Sequence, residues 1–583
     1  MNCIKNITVK NIKGKDMFSL DFNDLHANKV NLIVAPNGYG KSTIVQAFNS
    51  LKPRKLSLNN DDYYKNDPSN LPELKVEFIG DNSGTYYADS SKNELNNDYD
   101  IKVINNAVVA KSSYNTAGAH LRIEPITIYD RIPEETSINY NSTNIKSLIS
   151  CENRILINIS SFFENVDNLI ILSSIKDPLY KCFDQTRTKN YIDSFLSTIP
   201  TGGTAVSIKS SINNDTIETL VSNRNINMVF ETLSNCNYFS EFDSVDIVLS
   251  MIQIIKWYEI NTIRDRNFLK KLIEFEKFKI NRKTINEALN SFDTTGRNIK
   301  AKKDGNKLIV KFVDANKMSN GERDVLVFLT ELFRYSISIK KNKGILLIDE
   351  IFDYLDGSNL IVAQYFLSKF LEDQRKKGNL IYPLIFTHLD PDLFKNYYFK
   401  KMKTHYLVDA TQNSQDSDIV KIIKNRNATD DNDFASKYLL HFHPDNISIP
   451  EDIKTIVSNT FPTTTTDFKE AAYYEVTNKY LENQSYNPIL VLTGIRIKIE
   501  DYIYNKLTAE HKDGFIEEHG AKKKFEFASQ YLDIPELLYI LQPIYNDTLH
   551  LNGNANDLTK IKSSCLKLYN IPIKNIIKKI FEL

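Results

Sequence analysis

The chain opens on alternation. From Met1 to Lys10 apolar and polar positions trade places as in a strand, and Ile4 to Ile12 followed by Asp16-Met17-Phe18-Ser19-Leu20-Asp21-Phe22 predicts a β-hairpin. Two more strands, Leu74–Ile79 and Gly84–Asp89, are joined by the turn-rich Gly80-Asp81-Asn82-Ser83. Between these pairs the pattern changes: an apolar run, Val30-Asn31-Leu32-Ile33-Val34, leads through a loop into the helix-like Thr43-Ile44-Val45-Gln46-Ala47-Phe48. Over roughly 140–290 the period becomes 3.6, in Ile155–Phe163, Val245–Trp257 and Phe268–Phe278. Sustained heptads are missing, and Pro178, Pro200 and Gly202-Gly203 interrupt the run, so a compact helical insertion is expected in place of an extended coiled coil. Strand periods return in a hairpin, Arg297–Lys302 with Lys307–Phe312 around Asp304-Gly305-Asn306, and in Ile345–Ile348, Leu384–Phe386 and Thr404–Val408. Polar stretches at Thr411–Ser417 and Asn425–Asp433 mark a boundary, after which Ile489–Leu507 and Ile534–Ile544 are helical.

This alternation of strand and helix predicts an α/β protein. The expected organisation is a head made of 1–130 and 295–410, with a mixed sheet and an N-terminal β lobe, interrupted by a helical insertion over 131–294. A linker at 411–433 then precedes a mainly α-helical C-terminal domain, 434–583.

The loop after Val34 reads Ala35-Pro36-Asn37-Gly38-Tyr39-Gly40-Lys41-Ser42-Thr43. A strand, a glycine-containing loop, Lys-Ser and a helix are what a phosphate-binding loop requires: backbone N–H groups and a helix N-terminus cradle a polyanion. Asn37, Gly38, Tyr39, Gly40, Lys41, Ser42 and Thr43 are the candidate ATP-binding residues, with Lys41 reaching the β/γ-phosphates and Ser42 holding Mg²⁺. Ala35 departs from the usual GxxxxGK[ST] pattern, standing where the first glycine is expected.

Downstream come Met318-Ser319-Asn320-Gly321-Glu322-Arg323 before a helical run, the apolar strand ending in Asp349-Glu350, then Leu355-Asp356, and finally a strand ending in Thr387-His388. In this order the elements resemble the ATP-binding-cassette superfamily: phosphate loop, signature, Walker B with catalytic glutamate, D-loop and switch histidine. The resemblance covers about 1–130 and 295–410. It implies that Asp349 binds Mg²⁺, that Glu350 activates the attacking water, that His388 contacts the γ-phosphate, and that Asp356 is the D-loop aspartate. It also implies that Ser319, Asn320, Gly321 and Glu322 act in trans, so that two copies sandwich two ATP molecules. Asn105, after the strand Ile101–Ile104, stands where such proteins place a Q-loop ligand to Mg²⁺, although glutamine is absent. Ser-Asn-Gly-Glu is more similar to the chromosome-maintenance, RecF-like and overcoming-lysogenisation branches than to transporters.

Composition narrows the rest. The 583 residues carry 73 basic and 73 acidic side chains, so the whole chain has no electrostatic bias toward a polyanion and any contact with DNA or a phage component would need a local patch. Five cysteines are scattered without metal-ligand spacing, and no apolar run approaches the roughly 20 residues that span a bilayer, which points to a reduced, cytoplasmic protein without a membrane partner. Within the resembling groups the head is most similar to ATPases of bacterial anti-phage systems, which implies regulation of an effector partner, a nuclease or toxin. Two alternatives stand beside it. One is an effector in the chain's own C-terminal region, because Arg496, Asn546 and His550 faintly resemble the HEPN-type RNase set; there Tyr545 stands where that set has an arginine. The other is a DNA repair or recombination clamp. His441 and His443 form a further possible metal pair.

Overall fold

The computed structural model describes residues 3–36, 38–81, 83–105, 125–141, 143, 145, 155–291, 299–312, 320–389, 402–407, 417–425, 434–549 and 564–583. Among these, the strands in chain order are β1 (Cys3–Ile12), β2 (Lys15–His26), β3 (Asn31–Val34), β4 (Glu73–Ile79), β5 (Gly84–Asp89), β6 (Asp100–Asn105), β7 (Ile126–Tyr129), β8 (Ala301–Asp304), β9 (Lys307–Val310), β10 (Lys343–Asp349), β11 (Leu380–Thr387) and β12 (Lys403–Tyr406). The protein is α/β. Packing divides it into two compact units, Met1–Val108 with Met318–Leu583, and Val109–Lys317.

In the first unit the expected N-terminal hairpin forms, β1 pairing with β2 and, on its other edge, with β4, in an antiparallel sheet ordered β2-β1-β4-β5. Its alternation has a purpose: Ile4, Ile7, Leu20, Phe22, Leu74, Val76 and Phe78 turn to one side and share a core with Ile44, Val45 and Phe48 of helix α1 (Lys41–Asn49). The second sheet is parallel, ordered β12-β3-β11-β10-β6. Its central strands are near-continuous apolar runs, every residue of β3 and Gly344–Ile348 of β10 being buried, as expected of a parallel sheet covered on both faces. Register brings the functional strand ends together. Val34 lies beside Thr387 and Tyr406, and Asp349 lies between Phe386 and Asn105. Ligands of open parallel sheets bind outside such carboxyl ends.

The C-terminal part of this unit is helical and centres on Pro488–Lys506. Asn487 caps that helix by accepting from the N–H groups of Ile489 and Leu490, and Pro488 fits the first turn, where no N–H is needed. The helix is buried on nearly every side, from Ile489 through Arg496 and Glu500 to Ile503. Where Ile534–Ile544 was expected to be one helix there are two, Glu536–Ile540 and Gln542–Leu549. Pro535 and Pro543 fall just before or inside their first turns, where a missing N–H costs least.

The second unit is helical with one three-stranded sheet, β7-β9-β8. The predicted hairpin is present as β8 and β9 about Gly305; β8 starts at Ala301, and residues 292–298 lie outside those described. Because β9 pairs with β7, the hairpin belongs to this unit. The helices Ser244–Arg264 and Phe268–Ser291 match the expected runs, and Trp257 sits in their core with its indole N–H bonded to the Ile138 carbonyl at 2.7 Å. The run at Ile155–Phe163 is helical only from Ser160, where Asn158 accepts the Ser160 N–H. Among the described residues no helix is long and apolar enough to cross a membrane.

Candidate nucleotide site

The candidate phosphate loop begins where β3 ends. Ala35 is buried and donates its N–H to the Thr387 carbonyl, which ties the loop to β11. Its backbone is not among the positive-φ positions, so this position does not require glycine. Gly38 (φ 86°) and Gly40 (φ 100°) do need left-handed freedom, and a Cβ on Gly40 would come within 2.9 Å of Phe18. Gly40 caps α1 with no side-chain hydrogen bond, and no acidic residue occupies the first turn, so the helix's positive end is left for an anion. Asn37 lies outside the described residues. Thr43 is buried, Ser42 is exposed at the first turn, and Tyr39 is half-buried.

Lys41 is buried beneath this loop, its ammonium donating to the Ala35 carbonyl at 2.7 Å and lying 3.8 Å from Glu350 Oε1. Burial pushes its pKa down, against the pull of Glu350, Asp353 and Asp349. Glu350 adopts φ 52°, uncommon for a non-glycine residue, with its N–H bonded to the Phe386 carbonyl. Such strain is typical of functional turns.

Asp349 stands at the end of β10, partly buried. Burial, followed by the charge of Glu350, raises its pKa to about 6 against the influence of Lys41, and its Oδ1 is buried without a hydrogen-bond partner among the described residues. An oxygen-rich Mg²⁺ site suits such a carboxylate, with Asp349 and Ser42 as the residues that would hold the ion and Asn105 on the neighbouring strand. We therefore expect Asp349→Asn to raise stability without nucleotide at pH 7, by on the order of 1 kcal/mol after allowing for partial exposure. The gain should shrink as pH falls through about 6, where the native carboxyl takes up its proton, and vanish only below the ~3.9 of an unfolded aspartate. Thermal unfolding at pH 7 and at a pH below the unfolded value checks this, and a destabilised variant at pH 7 would refute it.

Asp353, which sequence reading passed over, is the buried centre of the site's far side. Its Oδ2 accepts the His388 N–H at 3.1 Å and lies 2.8 Å from the His388 Nδ1, while its Oδ1 accepts from the Thr387 hydroxyl. Burial raises its pKa, opposed first by the Thr387 bond and then by His388. The imidazole of His388 is thus held by a carboxylate, the usual device for fixing a histidine's tautomer and aim. Glu350, Asp353 and His388 bring ligand atoms within 4.8 Å of one another, the Asp353–His388 bond accounting for one of the three pairs.

The candidate signature and D-loop segments lie against each other. Asp356 caps the helix Gly357–Lys376, accepting from the N–H groups of Ser358 and Asn359 at 3.0 Å each. The backbone bond from Asn359 leads in holding its pKa below the ordinary carboxylate range. A Cβ on Gly321 would lie 2.8 Å from Asn359 Nδ2 and 3.3 Å from Asp356 Oδ2, so a larger residue there would have to displace the Asn359 side chain. Gly321 opens the helix Asn320–Ser338. Ser319 and the side chains of Asn320 and Glu322 lie outside the described residues.

The C-terminal region holds a second polar constellation. Glu500, fully buried, accepts from the Phe442 N–H at 2.9 Å and from Lys524 at 3.1 Å, and its Oε1 lies 2.6 Å from His441 Nδ1. Burial opposes its ionisation, but His441, Lys524 and Arg496 outweigh that and hold its pKa well below the ordinary range. Burial pushes His441 down to about 4 despite Glu500, so the imidazole is neutral at pH 7. His441 is thereby committed to Glu500, while His443 Nδ1 accepts the Asp445 N–H. Arg496 lies over the ring of buried Tyr545, 5.6 Å from its centroid. His550 and the side chain of Asn546 fall outside the described residues.

No family model and no curated protein matches the chain. Similar solved structures include an SMC head bound to the C-winged helix domain of ScpA, with 12% identity, a TM-score of 0.25, and coverage of 67% of this chain and 92% of that one. Another is the recombination mediator protein RecF with ATP, with 13% identity, a TM-score of 0.22, and coverage of 67% of this chain and 93% of that one. Likenesses this remote carry no functional argument, which rests on the site's own residues.

Proposed function

We propose that the chain is a Mg²⁺-dependent ATPase. The observation that carries this reading is the buried Lys41 beneath an uncapped helix N-terminus, with Asp349, Glu350 and His388 delivered by the adjacent ends of β10 and β11. In this reading Lys41 and the loop N–H groups bind the phosphates, Ser42 and Asp349 hold the ion that neutralises them, Glu350 takes the proton from the attacking water, and His388, aimed by Asp353, faces the γ-phosphate. Purified chain titrated calorimetrically with ATP and Mg²⁺ should bind, and Lys41→Ala should weaken binding about 10- to 100-fold, the worth of a charge-assisted hydrogen bond. Equal affinity in the two proteins would sink the reading.

Beyond hydrolysis, we infer that heads pair around ATP, with Ser319–Glu322 facing the partner's nucleotide, and that the paired state governs a separate nuclease or toxin in anti-phage defence. The ordered motifs and the packing of Gly321 against the Asp356 cap support the pairing; the defence role rests on resemblance alone. A second reading, in which the C-terminal region is itself the effector, is favoured by the buried Arg496–Glu500–Lys524–His441 network, an arrangement costly to bury for structure only.

A further inference from the structure

Tyr39 lies between two left-handed glycines, so the direction of its ring follows any change in the loop. That ring meets Tyr569 of the C-terminal region edge to face, with centroids 5.3 Å apart and planes at 85°. Around this contact is a cavity of about 730 Å³, walled on one side by Ala35, Tyr39 and His388 and on the other by Tyr480, Tyr486 and Tyr569. The second wall is itself tied together: the Tyr480 hydroxyl donates to the Leu568 carbonyl at 2.8 Å, and Lys574 donates to Asn483 Oδ1 at 2.6 Å while lying over the Tyr480 ring. Asn570 caps the helix Ile571–Glu582 that continues from it.

We propose that Leu566–Ile573 is a latch on the phosphate loop. Docked through Tyr569 on Tyr39, it holds the loop in the geometry seen here; a phosphate chain that reshapes the loop re-aims Tyr39 and releases the segment. The C-terminal bundle thereby reads nucleotide occupancy, and the coupling is reciprocal. The latch rests on the phosphate loop being a nucleotide site.

The test uses the full chain, a non-hydrolysable ATP analogue and Mg²⁺. Because the analogue forfeits the ring contact, Tyr569→Ala should bind it about two- to tenfold more tightly, the range an aromatic pair is worth, and Tyr569→Phe should bind as wild type does. In wild type, amide exchange across 566–573 should rise when the analogue is added. Unchanged affinity in Tyr569→Ala with unchanged exchange in wild type overturns the latch. So does weaker binding in the variant, which would make Tyr569 a wall of the nucleotide site. If Tyr569→Ala folds poorly, the exchange measurement on wild type decides alone. A wild type that binds no analogue overturns the nucleotide reading itself, a failure separate from that of the latch.

Discussion

Glu350→Gln is expected to lower ATP turnover by about 10²- to 10⁴-fold while leaving ATP binding within a few-fold of wild type. Glutamine keeps the size of the side chain but cannot take a proton from water, and it removes the negative charge 3.8 Å from Lys41. The bound nucleotide should therefore persist, and the proposed closed pair of heads should accumulate. Steady-state phosphate release, together with sedimentation of the ATP-loaded variant, measures both. Turnover at the wild-type rate would remove Glu350 from the chemistry and with it the proposed division of roles at this site. The positive φ of Glu350 sharpens the choice of variant: glycine would relax the backbone as well as delete the carboxylate, whereas glutamine changes the chemistry alone.

Glu500→Ala should be the most damaging substitution outside the nucleotide site, costing about 3–5 kcal/mol of stability, because Lys524 and Arg496 would remain buried without their carboxylate. Urea unfolding of the variant checks this, and a loss below about 1 kcal/mol would show that water reaches the network. The same network gives wild type a pH signature. The native imidazole of His441 protonates near 4, below the ~6.5 of an unfolded chain, so the unfolded state takes up the proton first. Stability from this group is complete above about pH 6.5 and is lost as pH falls toward 4. Glu500, whose native pKa is also depressed, adds to the loss in acid.

The strands of the head were legible because their patterns are local. Alternation marks β1 and β4, whose two faces differ, and unbroken apolar runs mark β3 and β10, whose faces are both covered. The strand, loop and helix around Lys41 were legible because one short segment carries the candidate phosphate loop's residues and its context. Asp353 was not, since its importance comes from Thr387 and His388 on another strand, and as a third acidic residue between Glu350 and Asp356 it reads as surface. Its spacing was the available signal. Glu500 was hidden for another reason: Arg496-Ile497-Lys498-Ile499-Glu500 alternates like a strand although it lies in a helix, because a helix buried on all sides has no polar face to set its period. The pairing of Tyr39 with Tyr569 joins residues near opposite ends of the chain, and neither carries a local sign of the other.

The strand order of the parallel sheet also constrains the protein's birth. β3 lies between β11 and β12, so the segment that supplies the candidate phosphate loop has no sheet neighbour until the ribosome has translated past residue 387, and lacks its second until past residue 406. The helical unit, Val109–Lys317, is a continuous stretch and has no such wait. During synthesis the insertion can therefore be folded while Val30–Val34 is still an exposed apolar strand, and the loop gains its walls only after β11 and β12 have been made. A message cut short before β11 would yield a chain with its Lys41 and without a place to put it.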